Sequence, residues 1–314
     1  ARSASFDHAH ETALPYRYAV SLDNGIVAEM APTDHAAIFR FTYPGDTGQI
    51  AFDNINDHGS LHLASDGLSA DGYTDVASSL STGSTRMFVH LEFDRPAKAQ
   101  GRMTGQKRDD VQGWAAFDTS AGKIVTVRIA TSLISLKQAR RNLALEIPTG
   151  TRLEVVADAA KAAWNQRLDV IAIPGAPADE QRILYGNLYR LHLYPNEAHE
   201  NIGTADEPRI VHASPVIKAD DAGTARRTGA PIRDGALYVN NGFWDTYRTA
   251  WPAYALLAPD EAGKMIDGFV QQYREGGWIA RWSSPGYADL MTGTSADVAF
   301  AAAWRKGIGG FAAP

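Results

Sequence analysis

Cysteine is absent from the 314-residue chain. Disulfides, thiolate catalysis and cysteine-ligated zinc are thereby excluded together. Long apolar runs are missing as well: no uninterrupted stretch approaches the roughly 20 residues that a bilayer-spanning helix needs, so no membrane partner is expected. Charge of one sign is not concentrated anywhere, since 30 basic and 36 acidic side chains give a net charge of −6 without a like-charge block or basic stripe. Phosphate-backbone binding has no electrostatic footprint here, and nucleic acid is not expected as a partner. Gly-Gly pairs occur without a preceding strand and phosphate-loop pattern, and no Gly-x-Ser-x-Gly elbow is present, which argues against nucleotide and serine-hydrolase chemistry. The nine histidines form no His-Glu-x-x-His helix and no zinc spacing. The N-terminal Ala1-Arg2-Ser3-Ala4-Ser5 carries no apolar signal region.

What is present is a globular composition, 45% hydrophobic and 21% charged, in a length that suggests two domains or one large one. Up to about residue 135 the hydrophobic period is two. Tyr16, Tyr18, Val20 and Leu22 alternate with other residues, and Asn24-Gly25 then predicts a hairpin with positive φ at both turn positions. Further alternating runs lie at Phe39, Phe41 and Tyr43, at Met87, Val89, Leu91 and Phe93, and at Val125, Val127 and Ile129. Many short strands broken by Gly, Asp, Asn and Ser clusters predict an antiparallel sandwich.

After residue 150 the period becomes helical. Thr151 and Glu154 have capping-box spacing, and Leu153, Val156, Ala160 and Trp164 form one stripe of an amphipathic helix. A second helix is expected over Asp179–Tyr194, stopped by Pro195, followed by a long polar loop over 196–240. A third runs from Asp245 to Leu257, a fourth opens at Pro259-Asp260 and ends at Gly276-Gly277, and a last one spans Thr294 to Gly307. The expected organisation is an α+β multidomain chain. Its β-sandwich occupies residues 1–150, a linker helix and connection 151–178, and a helical region 179–314. Four or so helices are too few to close a toroid of helical hairpins.

The densest unusual stretch is Phe243 to Thr294, which holds four of the seven tryptophans, Trp244, Trp251, Trp278 and Trp282, among Asp245, Arg248 and Arg281. An aromatic face covers the C–H face of a pyranose, while carboxylates and guanidinium groups take its hydroxyls through oriented hydrogen bonds. Large aromatics at helical spacing are more often core, and Trp251 and Trp304 fit that reading best. Trp244 and Trp282 are the better sugar-contact candidates, because each sits beside a charged residue at a helix or loop boundary. Asp245 is either an ordinary helix cap or a hydroxyl acceptor, and Arg281 either a surface ion-pair partner or a donor to the sugar.

Phe243-Trp244-Asp245-Thr246-Tyr247-Arg248-Thr249 resembles the Trp-Asp-Thr-(aromatic)-Arg signature of glycoside hydrolase family 92, a family of calcium-dependent exo-α-mannosidases. Pro252, Leu256 and Pro259 fall where the family has its Pro-Leu-x-x-Leu-x-x-Pro helix. Gly277-Trp278-Ile279-Ala280-Arg281-Trp282 is similar to its Gly-Trp-(Leu/Ile)-Pro-x-Trp, and Met291-Thr292-Gly293 through Lys306-Gly307 to its Met-x-Gly … Lys-Gly segment. Phe6 to Ala13, Tyr18 to Leu22, Ser135 to Glu146 and Ala163-Trp164-Asn165 agree in order. The resemblance implies a mutarotase-like β-sandwich followed by part of an (α/α)₆ barrel, with a calcium-dependent inverting site in the cleft between them. It also implies a secreted or extracellular bacterial enzyme, expected to be monomeric. Its partners would be mannose-containing glycans, N-glycans among them, with α-1,2-linked mannose as the first expectation.

Inversion needs a carboxylic acid at the leaving oxygen and a carboxylate base that activates water on the opposite face. The family motifs for acid and base, and most calcium ligands, are expected outside this segment, which reads as an internal piece. The resemblance therefore carries over only sugar-contact roles, to Trp244, Asp245, Arg281 and Trp282, and no catalytic or metal-ligating residue is assigned. Ser295 and Ala302 stand where many members have His and Asp, a form similar to a branch that cleaves mannose linked through phosphate. Two alternatives accordingly stay open: a mannosyl-phosphodiester glycosidase of the same family, and a non-catalytic carbohydrate-binding protein.

Overall fold

The computed structural model describes residues 4–54, 58–76, 85–103 and 111–311. The chain divides into two units, one of residues 1–75, 86–167 and 225–227, the other of residues 76–85, 168–224 and 228–314. Among the described residues no helix is long and apolar enough to cross a membrane.

The first unit is an antiparallel sandwich with helices on its outer face. Its strands are β1 (Glu11–Leu14), β2 (Arg17–Ser21), β3 (Val27–Pro32), β4 (Ala36–Thr42), β5 (Thr47–Asp53), β6 (Gly59–Leu63), β7 (Ser69–Val76), β8 (Thr85–Phe93), β9 (Ala99–Arg102), β10 (Gln112–Asp118) and β11 (Ile124–Ser132), followed by α1 (Leu136–Glu146) and α2 (Leu153–Leu168). Eight strands form one sheet in the order β1-β2-β3-β4-β11-β8-β7-β6, and β5-β10-β9 form the other. Strand alternation gives the large sheet two apolar faces. Leu91, Phe93, Val125 and Val127 on one side meet Ala115 and Phe117 of the small sheet. On the other side, Ala31, Ile38 and Ala130 pack under Leu143, Leu153, Val156 and Ala157 of α1 and α2.

The Asn24-Gly25 hairpin forms with a longer turn than expected. Gly25 alone has positive φ (+83°), and its N–H donates to the Leu22 carbonyl at 2.8 Å. Leu22 N–H then donates to Ile26 O at 2.8 Å, which makes Asp23-Asn24-Gly25 a three-residue loop with the glycine at its left-handed position. The helix α1 is absent from the sequence reading because its apolar residues are few; Ser135 caps it by accepting from Gln138 N at 3.1 Å. The stripe of α2 is as expected, but its capping box does not form: Glu154 accepts from Arg40 at 2.6 Å instead. Arg40 also donates to Glu29 at 2.7 and 3.0 Å, so the ion pair ties helix to sheet.

The second unit contains α3 (Ala178–Leu191), β12 (Asn196–Glu197), β13 (Glu200–Asn201), β14 (Ile210–Ala213), β15 (Ile232–Asp234), β16 (Tyr238–Val239), β17 (Asn241–Gly242), α4 (Phe243–Thr246), α5 (Ala250–Leu257), α6 (Pro259–Gly276), β18 (Trp282–Ser283), β19 (Tyr287–Ala288) and α7 (Ser295–Arg305). The region expected as a loop over 196–240 thus carries five short strands, stitched as β12-β16 and β13-β14-β15. Their two-to-four-residue length leaves no period to read. The helix expected from Asp245 to Leu257 is broken between Thr246 and Ala250, where Thr249 has φ −127° and ψ −83°. Pro259 at the start of α6 and Gly277, left-handed at φ +80°, bound that helix as its sequence suggests. The four longer helices α3, α5, α6 and α7 belong to a helical region and do not by themselves close a barrel.

Glu146 closes α1 onto the β3–β4 turn. Its carboxylate accepts from Thr33 Oγ1 at 2.5 Å and His35 N at 2.8 Å, and lies 2.8 Å from His35 Nδ1. Burial raises its pKa, but the hydrogen bonds from His35 and Thr33 outweigh that and hold the group below the usual carboxylate range. Glu146→Gln should destabilise the protein by about 1–3 kcal/mol, measured as a lower urea midpoint with unchanged slope.

Candidate functional site

The aromatic-rich segment is built around one buried ring. Phe243 is fully buried and packs against Trp251 at 5.5 Å between ring centroids, Phe269 at 4.9 Å and Phe300 at 5.4 Å. These partners lie on α5, α6 and α7, so three helices clamp the first residue of α4. Thr246 Oγ1 donates back to Gly242 O at 2.8 Å, and Tyr247 N donates to Phe243 O at 2.9 Å, which completes the turn. With Phe243 inward, the next two residues of a single helical turn must point elsewhere. Trp244 is 47% exposed, and Asp245 is exposed beside it. Among the described residues the Asp245 carboxylate has no hydrogen bond or ion-pair partner, and α4 has no side-chain cap. The capping alternative for Asp245 therefore does not hold in this structure.

Trp282 joins them through strand pairing. Gly242 and Trp282 are cross-strand partners in β17-β18, and Phe243 N donates to Arg281 O at 3.2 Å. A Cβ placed on Gly242 would lie 2.5 Å from Asp245 Oδ2 and 3.4 Å from Trp282 Cδ2. The missing side chain lets the carboxylate and the half-buried indole approach one another over bare backbone. Arg281 is not part of that approach. Its guanidinium pairs with Asp289 and donates to the Met291 carbonyl at 3.0 Å, where Met291 has a positive φ of 63°. Of the four residues proposed from the sequence, the structure brings Asp245 and Trp282 together over Gly242, leaves Trp244 exposed next to Asp245 in the chain, and engages Arg281 elsewhere.

Two other expectations split. Trp251 is core, 3% exposed, whereas Trp304 is 61% exposed on α7 and is not core. Its position in a helix rich in alanine leaves small residues, Ala296, Ala299 and Ala303, to face the interior instead.

Several supporting residues were not identified from the sequence. Gln272, fully buried on α6, donates to Tyr238 O at 2.7 Å and Ser283 Oγ at 3.1 Å, which fixes β18. Tyr287 Oη lies 2.7 Å from Gln272 O and 2.8 Å from Trp278 O. His212 and Glu275, 2.7 Å apart and almost fully buried, lock the last turn of α6 to β14, and the other ring nitrogen of His212 is 2.8 Å from Gly235 O. A buried glutamine or histidine carries no distinctive spacing, so no local signal could have found these. Among the described residues no group of three or more His, Asp or Glu could hold a metal ion. The donor set of a hard, oxygen-loving cation is therefore not assembled by them.

The family model for the glycosyl hydrolase family 92 N-terminal domain matches residues 1–132, and that for the family's catalytic domain matches residues 138–314. The chain belongs to glycosyl hydrolase family 92. An inverting family 92 mannosidase from Bacteroides thetaiotaomicron superposes with a TM-score of 0.87 at 26% identity, covering 98% of this chain and 41% of that one. A family 92 α-mannosidase of the same organism, solved with mannoimidazole, has the same fold, with a TM-score of 0.80 at 21% identity over 98% of this chain and 41% of that one. An uncharacterized secreted glycosidase of Arthroderma benhamiae is 26% identical over 223 residues, 59% of this chain and 29% of that protein. The chain thus spans less than half the length of these family 92 relatives.

Two outcomes test the site as built. Gly242→Ala should displace the Asp245 carboxylate, a flexible group, and so leave the melting temperature nearly unchanged while moving the indole N–H signal of Trp282 in an NMR spectrum. An unmoved signal would show that the bare backbone of Gly242 does not set the approach of Asp245 to Trp282. The second concerns Glu275. Burial raises its pKa, but hydrogen bonds from His212, Ser214 and Gln271 lower it further, leaving the net shift downward from 4.5. A carboxylate depressed in the folded state contributes stability that is present above its unfolded pKa and is lost as pH falls through the folded one. Thermal unfolding followed downward from pH 5 should therefore show a steeper loss of stability in the wild type than in Glu275→Gln.

Proposed function

We propose that this chain supplies the sugar-binding part of an inverting exo-α-mannosidase that releases terminal mannose, α-1,2-linked mannose first, from mannosylated glycans such as N-glycans outside the cell. The observation that carries the reading is the exposed Trp244 with the unpartnered Asp245 carboxylate, set against Trp282 over Gly242. An indole can cover the C–H face of a pyranose, and a carboxylate without an internal partner can accept two of its hydroxyls. Such contacts orient the ring and, where they tighten in the oxocarbenium-like transition state, raise the rate. The family relationship and the name of the inverting Bacteroides mannosidase support the substrate class, and the secreted fungal glycosidase supports an extracellular setting.

In this mechanism Asp245 holds hydroxyls and transfers no proton. Acid and base are a separate pair of carboxylates about 6.5–9.5 Å apart, with water between base and sugar. A bound calcium would supply a hard cation able to engage sugar hydroxyls, and no group of the described residues would hold it.

The protein that carries this chain should release β-mannose from α-1,2-mannobiose, seen as the first anomer in time-resolved proton NMR, and should lose activity with a calcium chelator. Asp245→Asn should lower kcat/KM about 10²–10³-fold, the magnitude of one lost transition-state hydrogen-bonding group. First appearance of the α-anomer would sink the inverting mechanism. Mannose binding without turnover in that protein would leave a carbohydrate-binding role instead.

A further inference from the structure

A concavity lies between the end of α6 and the start of α7, lined by Tyr273, Trp278, Arg281, Thr294, Ser295 and Asp297, with a volume of about 240 Å³. Arg281 lines this pocket, whereas the ring of Trp282, the next residue in the chain, lies against Gly242 and is not part of the lining.

We propose that this pocket is a separate binding site for a neutral sugar ring. The volume falls below the roughly 300–1,000 Å³ of sites for drug-sized ligands, which limits the occupant to about one ring. Trp278 is 74% exposed and Tyr273 50%, so the pocket offers one largely exposed and one half-exposed aromatic ring. The backbone around Trp278 is nonetheless fixed, because its carbonyl is 2.8 Å from Tyr287 Oη. Opposite them, the hydroxyls of Thr294 and Ser295 and the carboxylate of Asp297 have no internal partner among the described residues, so acceptors and donors for several sugar hydroxyls are available. Side-chain charge does not favour an anionic ligand: Arg281 is already paired with Asp289, and the Asp297 carboxylate on the wall opposes the positive end of α7 that opens there. Gly277 and Gly293 line the pocket with backbone alone, both at left-handed φ of +80° and +83°, which keeps its mouth open.

The proposal rests on the preceding functional reading only in taking mannose as the probe. Each of the seven tryptophans carries one indole N–H, and loss of a signal in Trp278→Phe and in Trp244→Phe assigns those two. On titration of the full chain with methyl α-mannoside, the Trp278 signal should shift in the wild type and equally in Asp245→Asn, and inorganic phosphate should leave it in place. Ser295→Phe, which fills the pocket, should weaken the midpoint read at Trp278 about tenfold without moving that read at Trp244. A Trp278 signal that stays still while Trp244 shifts overturns the second site and leaves the first. One that follows phosphate and ignores the mannoside overturns it in favour of an anion. Movement of Trp278 with Trp244 unmoved supports the pocket and removes Trp244 from sugar binding. No movement of either signal sinks both.

Discussion

Burial of the Phe243 ring governs the arrangement of the second unit. It is the first residue of a four-residue helix, far too short to persist by its own hydrogen bonds, and it is held by rings from three longer helices. Because Trp251 also contacts both Phe269 and Phe300, α5, α6 and α7 meet at a single aromatic knot. Trp244 and Asp245 are exposed as a consequence of that knot. A helical turn that drives one side chain inward directs its neighbours outward.

The polar scaffolding serves the same end by satisfying groups that burial would otherwise penalise. Gln272 bridges β16 and β18, Tyr254 reaches the carbonyls of Leu191 and Tyr194 at 2.8 and 2.6 Å, and Tyr287 holds Trp278. Burial pushes the Tyr254 phenol up to about 12, so it remains a hydroxyl donor at any physiological pH. The short sheets of this unit act as clips that set where each loop side chain emerges, and the site rests on them.

Much of the sandwich was readable because its strands have one face in a core. Phe39 and Phe41, Leu91 and Phe93, and Val125 and Val127 alternate for that reason, and Pro259 and Gly277 bound α6 by their own backbone preferences. The helix α1 was not readable, since its buried face includes Gln138 and Asn142, which bond to each other at 2.7 Å in place of apolar contact. The same difficulty hid Gln272 and the His212–Glu275 pair: a polar residue is informative only once its partner, tens of residues away, is known.

By itself the sequence determined the strand and helix periods, the Phe-Trp-Asp stretch and its two neighbouring tryptophan motifs, because local patterning and residue chemistry are carried by adjacent positions. Only the tertiary structure decided which of those tryptophans face outward. Trp251 and Trp304 looked alike in sequence, yet one is sealed in the aromatic knot and the other lies on the surface. It also decided that Arg281 is engaged elsewhere while Asp245 and Trp282 meet over Gly242, since strand register and the bare backbone of Gly242 are set by pairing between segments 40 positions apart. Direction of a side chain is a property of packing, and packing is fixed by contacts that no local window contains.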